Sequence, residues 1–292
     1  MSLDLKQLEE IRDLFVSVAS DAGAMILSAR PTMGGSGSKK NSVDLVTETD
    51  KAVEKMVSEK LLSAYPDFAF VGEETYTPGT RITEQPTFIV DPIDGTTNFI
   101  HGFPYVCISL GLAVGRVPTV GVVFNPFTGA LYTAIRGQGA FLNGTTRLPL
   151  NPTPEPLAGL GSALVCVEWG SDRSGNDYRV KTETFKALCA AKEEGGAMVH
   201  SLRSLGSAAL NLCAVAAGQL DLYWEGGCWA WDVCAGWTIL SEAEGLMVDA
   251  NPGGWETGLE ERRYLAVRKG EGQRELIEEF WGCVAGKLEV GL

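Results

Sequence analysis

The sequence predicts an α+β protein in which helices and a mixed or antiparallel sheet stack as layers. Three observations predict it. Apolar residues recur at spacings of three and four near both ends of the chain, short apolar runs crowd residues 106–142, and the second half alternates helical and strand patterns without a regular βαβ array. The 292 residues are 45% hydrophobic and 21% charged, enough apolar material for an extensive core. At about 150 residues per domain the length predicts two lobes or one large layered domain. The composition change at Leu150-Asn151-Pro152-Thr153-Pro154-Glu155-Pro156-Leu157 divides an N-terminal α+β lobe, 1–150, from a C-terminal α/β lobe, 151–292.

Element by element, residues 3–29 read as a long amphipathic helix carrying Leu8, Ile11, Phe15, Val18, Ala22 and Met25 on one face, closed by Pro31. The stretch 32–42 holds three Gly and three Ser and reads as a flexible loop. A second helix covers 49–64, with Val53, Met56, Val57 and Leu61 opposite Lys51, Glu54, Lys55 and Glu59. The runs 68–74 and 87–99 read as buried strands that end in acids, and Pro92 is expected to stop the second. A β-meander fills 106–142. Helices near 178–191 and 202–217, a strand at 220–225, a helix at 232–243, strands at 246–250 and 264–268 and a helix at 272–284 complete the chain.

Charge and composition exclude several functions. Thirty-seven Asp and Glu against 24 Lys and Arg leave a net charge of −13, which argues against a nucleic-acid binder and fits a protein that meets small molecules or cations. No apolar run approaches the roughly 20 residues that span a bilayer, and the acidic amphipathic start is not a secretory leader; a cytoplasmic protein that does not bind membranes is expected. The seven Cys are odd in number and form no C-x-x-C pair, so they read as small core hydrophobes. With only His101 and His200 available, a metal site must rely on oxygen ligands, which favour hard cations such as Mg²⁺, Mn²⁺ or Ca²⁺.

The most informative segment is Val90-Asp91-Pro92-Ile93-Asp94-Gly95-Thr96-Thr97-Asn98. An apolar strand delivers Asp91, a turn brings Asp94 beside it, and the N–H groups of Gly95 and Thr96 open a helix or turn that can cradle phosphate. Alone, this is also what a strand followed by an Asp-capped turn would give. Other acids lie at element ends too: Glu73 and Glu74 after a strand, Asp232 at a helix start, Glu225 at a strand end, and Asp50 three residues after Thr47, where a capping box would also explain it. Two bare carboxylates about 4 Å apart repel by about 4 kcal/mol at an effective dielectric of about 20. A convergent cluster therefore calls for protons or a divalent cation, and the cation would also activate water.

Taken in order, Val43-Asp44-Leu45-Val46-Thr47-Glu48-Thr49-Asp50, Gly72-Glu73-Glu74, the 91–98 block, Gly206-Ser207-Ala208-Ala209, Glu225 and Trp231-Asp232 resemble the inositol monophosphatase family of the lithium-sensitive, Mg²⁺-dependent phosphatase superfamily. The resemblance implies a layered αβαβα sandwich, a homodimer, and two or three Mg²⁺ per active site. It implies that Glu73, Asp91 and the Ile93 carbonyl hold one ion, that Asp91, Asp94 and Asp232 hold the second, and that Glu73 with waters holds a looser third near Lys39. Thr96 and Asp50, with Glu73, would orient and deprotonate the attacking water. Asp94 and the N–H groups of Gly95 and Thr96 would meet the phosphate, and Glu225, Ala208 and the region of Ser171 the alcohol. The implied reaction is hydrolysis of inositol monophosphate or a similar small polyol or sugar phosphate.

Two departures stand out. Glu244 occupies a helix end where the family commonly has glycine, and Trp229 stands where animal members often carry His, so its indole is expected to reshape the alcohol pocket. Alternative readings are a 3′-phosphoadenosine 5′-phosphate or fructose 1,6-bisphosphate phosphatase, and a phosphatase-like metabolic regulator without turnover. Gly34–Lys39 does not match a P-loop, Gly137-Gln138-Gly139 is a turn, Asn143-Gly144 is a hairpin turn as well as a formal sequon, and His101 reads as structural.

Overall fold

A computed structural model describes residues 3–29, 37–38, 45–46 and 48–290. Lys39, Thr47 and most of the glycine-rich loop lie outside the described residues. Helix α1, Leu5–Ser28, begins with a reciprocal cap: the Gln7 N–H donates to Asp4 Oδ1 at 2.8 Å and the Asp4 N–H to Gln7 Oε1 at 3.0 Å. Its stripe of Ile11, Phe15, Val18, Ala22 and Ile26 is fully buried. Two-residue strands β1 (Gly37–Ser38) and β2 (Leu45–Val46) pair antiparallel ahead of α2, Glu48–Ala64. Val53, Val57 and Leu61 of α2 join α1 in one core cluster on the outer face of the first sheet. Phe15 meets Phe88 of that sheet edge-on, with ring centroids 5.7 Å apart.

That sheet has seven strands in the order β3 (Ala69–Gly72), β4 (Thr87–Asp94), β5 (Cys107–Val114), β6 (Val117–Asn125), β7 (Ala130–Ile135), β8 (Gly139–Leu142) and β9 (Thr146–Arg147). Only the β3–β4 pair is parallel; the rest is the meander the punctuation predicts. A short helix α3, Thr96–His101, follows β4. The expectation that Pro92 ends the strand is corrected. β4 runs through Pro92 to Asp94, and its register slips: Asp91 faces Ser109 and Asp94 faces Cys107, so three steps on β4 oppose two on β5. The slip is a bulge, where a residue without an N–H is tolerated.

The second sheet has five strands, ordered β11 (Ser201–Arg203), β10 (Leu164–Val167), β12 (Leu222–Gly226), β14 (Arg263–Val267) and β13 (Leu246–Val248). β11, β10 and β12 run parallel, and β14 pairs antiparallel with both of its neighbours, β12 and β13. The sequence pattern does not announce strand β10, and the helix expected near 202–217 is corrected: residues 202–203 belong to β11. A helix does follow, but α5 spans Ala208–Ala217: Ser207 is its N-cap and accepts from the Leu210 N–H at 3.3 Å. Short apolar runs such as Leu164–Val167 carry too little periodicity to separate strand from helix.

Helices α5 and α6 (Ala230–Glu242) lie between the two sheets, and α4 (Gly175–Cys189) and α7 (Gln273–Cys283) cover the outer face of the second. The layering is αβαβα. Because α6 is covered on both sides it is apolar nearly all round, with Val233, Cys234, Ile239 and Leu240 fully buried. It approaches the first sheet so closely that a Cβ on Gly121 would lie 2.3 Å from the Ala235 carbonyl oxygen. All seven cysteines are free, five of them buried, and Asn143 and Gly144 both hold positive φ, as a tight hairpin turn requires. No helix among the described residues is long and apolar enough to cross a membrane.

Candidate active site

The bulge in β4 turns two carboxylates toward one point. Asp91 and Asp94 are buried, and each offers an oxygen within 4.8 Å of one from Asp232, in the first turn of α6. Local bonds orient each group. Asp91 Oδ1 accepts the Ile93 N–H at 2.9 Å, closing the loop over Pro92. Asp94 Oδ2 accepts the Ser207 hydroxyl at 2.6 Å and the Ala209 N–H at 2.8 Å, so the start of α5 anchors it. Asp232 accepts the Trp229 N–H at 2.5 Å.

Burial opposes ionisation of all three, and neighbouring charge adds to it at Asp91 and Asp232. Burial, then the charges of Glu73, Asp94 and Asp232, pushes Asp91 well above the usual carboxylate range. Burial likewise raises Asp232, followed by Asp94 and Glu73. Asp94 rises to about 6, mainly by burial, with its bonds to Ser207, Ala209 and Ala208 pulling the other way. This is a site that carries more negative charge than its surroundings stabilise.

Beside the acids the backbone turns into α3. Gly95 is its N-cap at φ 95°, in the left-handed region, and a Cβ there would lie 2.9 Å from the Tyr105 carbonyl oxygen. The Thr96 hydroxyl lies 3.2 Å from both Asp50 Oδ1 and the Ile93 carbonyl oxygen, and Asp50, in α2, is 1% exposed. Asn98 holds the turn in place by donating to the carbonyls of Tyr105 at 2.9 Å and Leu205 at 2.7 Å. A cleft of about 440 Å³ opens here, lined by Glu73, Asp94, Gly95 and Thr96. Ser171, Ala208, Glu225 and Asp232 line it as well.

Known proteins share this arrangement of chain and fold. The model of the inositol monophosphatase family matches residues 7–285. Inositol monophosphatase 2 of Saccharomyces cerevisiae is 50% identical over 298 residues, covering 99% of this chain and 100% of that protein. Inositol monophosphatase 1 of the same yeast is 41% identical over 302 residues, covering 99% of each. The solved structure of inositol monophosphatase from Anabaena (Nostoc) is 30% identical, with a TM-score of 0.72 over 94% of this chain and 96% of that one. The chain belongs to the inositol monophosphatase family. It is a phosphatase of the inositol monophosphatase type, with that family's fold and an acidic cluster able to hold a metal.

Within this family member, the structure brings together most residues singled out from the sequence. Asp91 is buried, with Glu73 close enough to hydrogen-bond its carboxyl. Lys39 lies outside the described residues. Glu225 is pushed up to about 7 by burial and the neighbouring charge of Glu168, with Lys181 acting in the opposite direction. The expectation for Trp229 is corrected. Its indole is not part of the cleft wall; it lines a separate cavity of about 50 Å³ with Tyr76, Trp231 and Arg262. The Trp229 N–H donates to Asp232 at 2.5 Å at the start of α6.

Sequence reasoning missed Glu168. This buried carboxylate lines the cleft and accepts from the Ser204 hydroxyl at 2.8 Å, the N–H groups of Leu205 and Gly206 at 2.6 and 2.8 Å, and Asn211 Nδ2 at 3.0 Å. It thereby holds the loop whose Leu205 carbonyl receives Asn98. The signal was an acid ending an apolar run, Leu164-Val165-Cys166-Val167-Glu168, the same pattern that flagged Glu73 and Glu225.

Proposed function

We propose that the protein is a Mg²⁺-dependent phosphomonoesterase that hydrolyses inositol monophosphate, or a similar small polyol or sugar phosphate, to the alcohol and inorganic phosphate. The observation that carries this reading is the convergence of Asp91, Asp94 and Asp232 oxygens within 4.8 Å, beside the turn at Gly95 and Thr96. The donor set fits a hard divalent cation: it is all carboxylate oxygen, and Asp91 and Asp232 are raised by burial and then by the charge of neighbouring carboxylates, a conflict that a cation would relieve. When bound, the ions supply Lewis acidity, which activates water and offsets charge on the leaving oxygen.

In this reading Glu73, Asp91 and the Ile93 carbonyl hold one ion, Asp91, Asp94 and Asp232 a second, and Glu73 with waters a looser third, the one for which Lys39 matches the family's lysine. The N–H groups of Gly95 and Thr96 receive phosphate oxygens, since first-turn donors lack partners within their own helix. Thr96 and Asp50 orient the attacking water: its proton passes to Thr96 Oγ1 as Thr96 gives its own to Asp50 Oδ1, 3.2 Å away. Glu225, Ala208 and Ser171 meet the hydroxyls of the alcohol and set its orientation.

Phosphate release from inositol 1-phosphate, with Mg²⁺ and with EDTA, tests the proposal. Release that depends on Mg²⁺ is expected. No release from any polyol or sugar phosphate would reject it, and preferential cleavage of 3′-phosphoadenosine 5′-phosphate or fructose 1,6-bisphosphate would move the substrate while keeping the chemistry. Binding of Mg²⁺ with every ester left intact would favour a regulator without turnover.

A further inference from the structure

Trp229 leaves the cleft but does not leave the metal ligands. Its ring stacks on Trp231 at 5.2 Å and an interplanar angle of 14°, and the Arg262 guanidinium carbon sits 3.7 Å over its centroid on β14's approach. Tyr76, three residues after Glu73, packs against both indoles at 5.1 and 5.2 Å. Arg262 is also clasped to the loop before Trp229: its Nη2 donates to the Gly227 carbonyl at 2.8 Å, and the Gly227 N–H donates to the Arg262 carbonyl at 2.8 Å. Arg262 does this at φ 58°, a left-handed conformation that a non-glycine residue keeps only where surrounding contacts hold it. The Trp229 N–H then ends on Asp232.

We propose that Arg262 and Trp229 are positioning residues for the metal site, a guanidinium–indole–indole stack that fixes the start of α6 and the loop after Glu73 at one spacing. The inference rests on the metal reading above. Asp232 and Glu73 come from segments far apart in sequence, and the stack is a rigid spacer touching both segments, through Trp229 and Trp231 on one side and Tyr76 on the other. A planar guanidinium covers an indole face and keeps its hydrogen bond to Gly227 at once; an ammonium cannot do both. A competing role is purely electrostatic. A fixed positive charge near the acids opposes cation binding, so its removal would tighten metal affinity.

Calorimetric titration of the full chain with Mg²⁺ separates the two. The spacer role predicts that R262M, R262K and W229L each weaken Mg²⁺ binding about ten- to a hundredfold, as loss of supporting contacts around metal ligands does, and that W229F restores most of it. Far-ultraviolet circular dichroism in EDTA should show each variant folded. Tighter binding by R262M with wild-type affinity in R262K would overturn the proposal in favour of the charge role, and unchanged affinity in R262M and W229L would overturn it outright. Failure of the wild type itself to bind Mg²⁺ would remove the metal reading, and the spacer with it.

Discussion

Asp94 joins three parts of the molecule through one carboxylate. It ends the β4 bulge, lies within 4.8 Å of Asp91 and Asp232 oxygens, and receives the Ser207 hydroxyl and the Ala209 N–H at the start of α5. Substituting Asn keeps the shape and one acceptor oxygen for those donors but removes the negative charge. Asp94→Asn is expected to lower turnover by about a hundredfold or more, since a metal ligand's charge supplies several kcal/mol of transition-state stabilisation and 1.36 kcal/mol is tenfold. The variant should keep the wild-type circular dichroism spectrum and, free of metal, melt no earlier than the wild type, because a poorly stabilised buried charge is gone. Steady-state phosphate release together with thermal melts checks this; near wild-type turnover would overturn the role given to Asp94.

At the scale of elements, α6 shows how a helix end is closed against preference. Ala243 caps it and Glu244 follows at φ 62°, the left-handed position that glycine occupies without steric cost. The Gly245 N–H donates back to the Leu240 carbonyl at 2.9 Å, so the reversal is required whatever residue stands at 244. In return the Glu244 carboxylate pairs with Lys269 at 2.6 Å, but that pair is largely exposed and is worth little. Glu244→Gly should therefore stabilise the protein by about 0.5–1 kcal/mol, the conformational strain outweighing the lost ion pair and the extra unfolded-state freedom of glycine. Denaturant melts with an unchanged slope and a raised midpoint are the expected result. A lowered midpoint would mean that the Lys269 contact matters more than the strain. The proposed metal ligand Asp232, at the other end of α6, should be untouched, so Mg²⁺ affinity should not move.

For the whole molecule, the acid cluster is a conflict that folding creates and that the proposed cation would resolve. Asp91 and Asp94 come from the first sheet, and Asp232 comes from the helix layer between the sheets. Their raised affinity for protons sets a sign. A carboxyl whose folded-state value exceeds its unfolded one is held more firmly protonated by the native state, so its contribution to stability is full below the unfolded value and is lost as pH rises through the folded one. For Asp94 that window runs from 3.8 to about 6, and Asp91 and Asp232 act in the same direction. In EDTA the protein should lose stability as pH is raised through this range. Saturating Mg²⁺, which binds only the folded arrangement, should raise the melting temperature by roughly 5 °C at neutral pH, from about 2.7 kcal/mol at a hundred times the dissociation constant. The gain should shrink toward pH 4, where protons compete. A melting temperature indifferent to Mg²⁺ at pH 7 would contradict the proposed metal site.

The local alternation and punctuation of the chain determined its helices, its meander and the acids at element ends, because periodicity and turn chemistry act over a few residues. Ile11, Phe15 and Val18 announce the buried stripe of α1, and Asp91 with Asp94 announces a carboxylate pair, without reference to anything distant. What only the tertiary structure decided are relations between remote segments. The bulge at Pro92 depends on β5 as partner, β10 and β11 become strands by pairing with β12 and each other, and Glu168 matters because Ser204, Leu205 and Asn211 come to it. Trp229 borders the second cavity rather than the cleft, among Arg262, Tyr76 and Trp231, which come from three separate stretches of the chain. A side chain's direction follows from the neighbours that burial assembles, and those are set by the packing of layers rather than by any window of sequence.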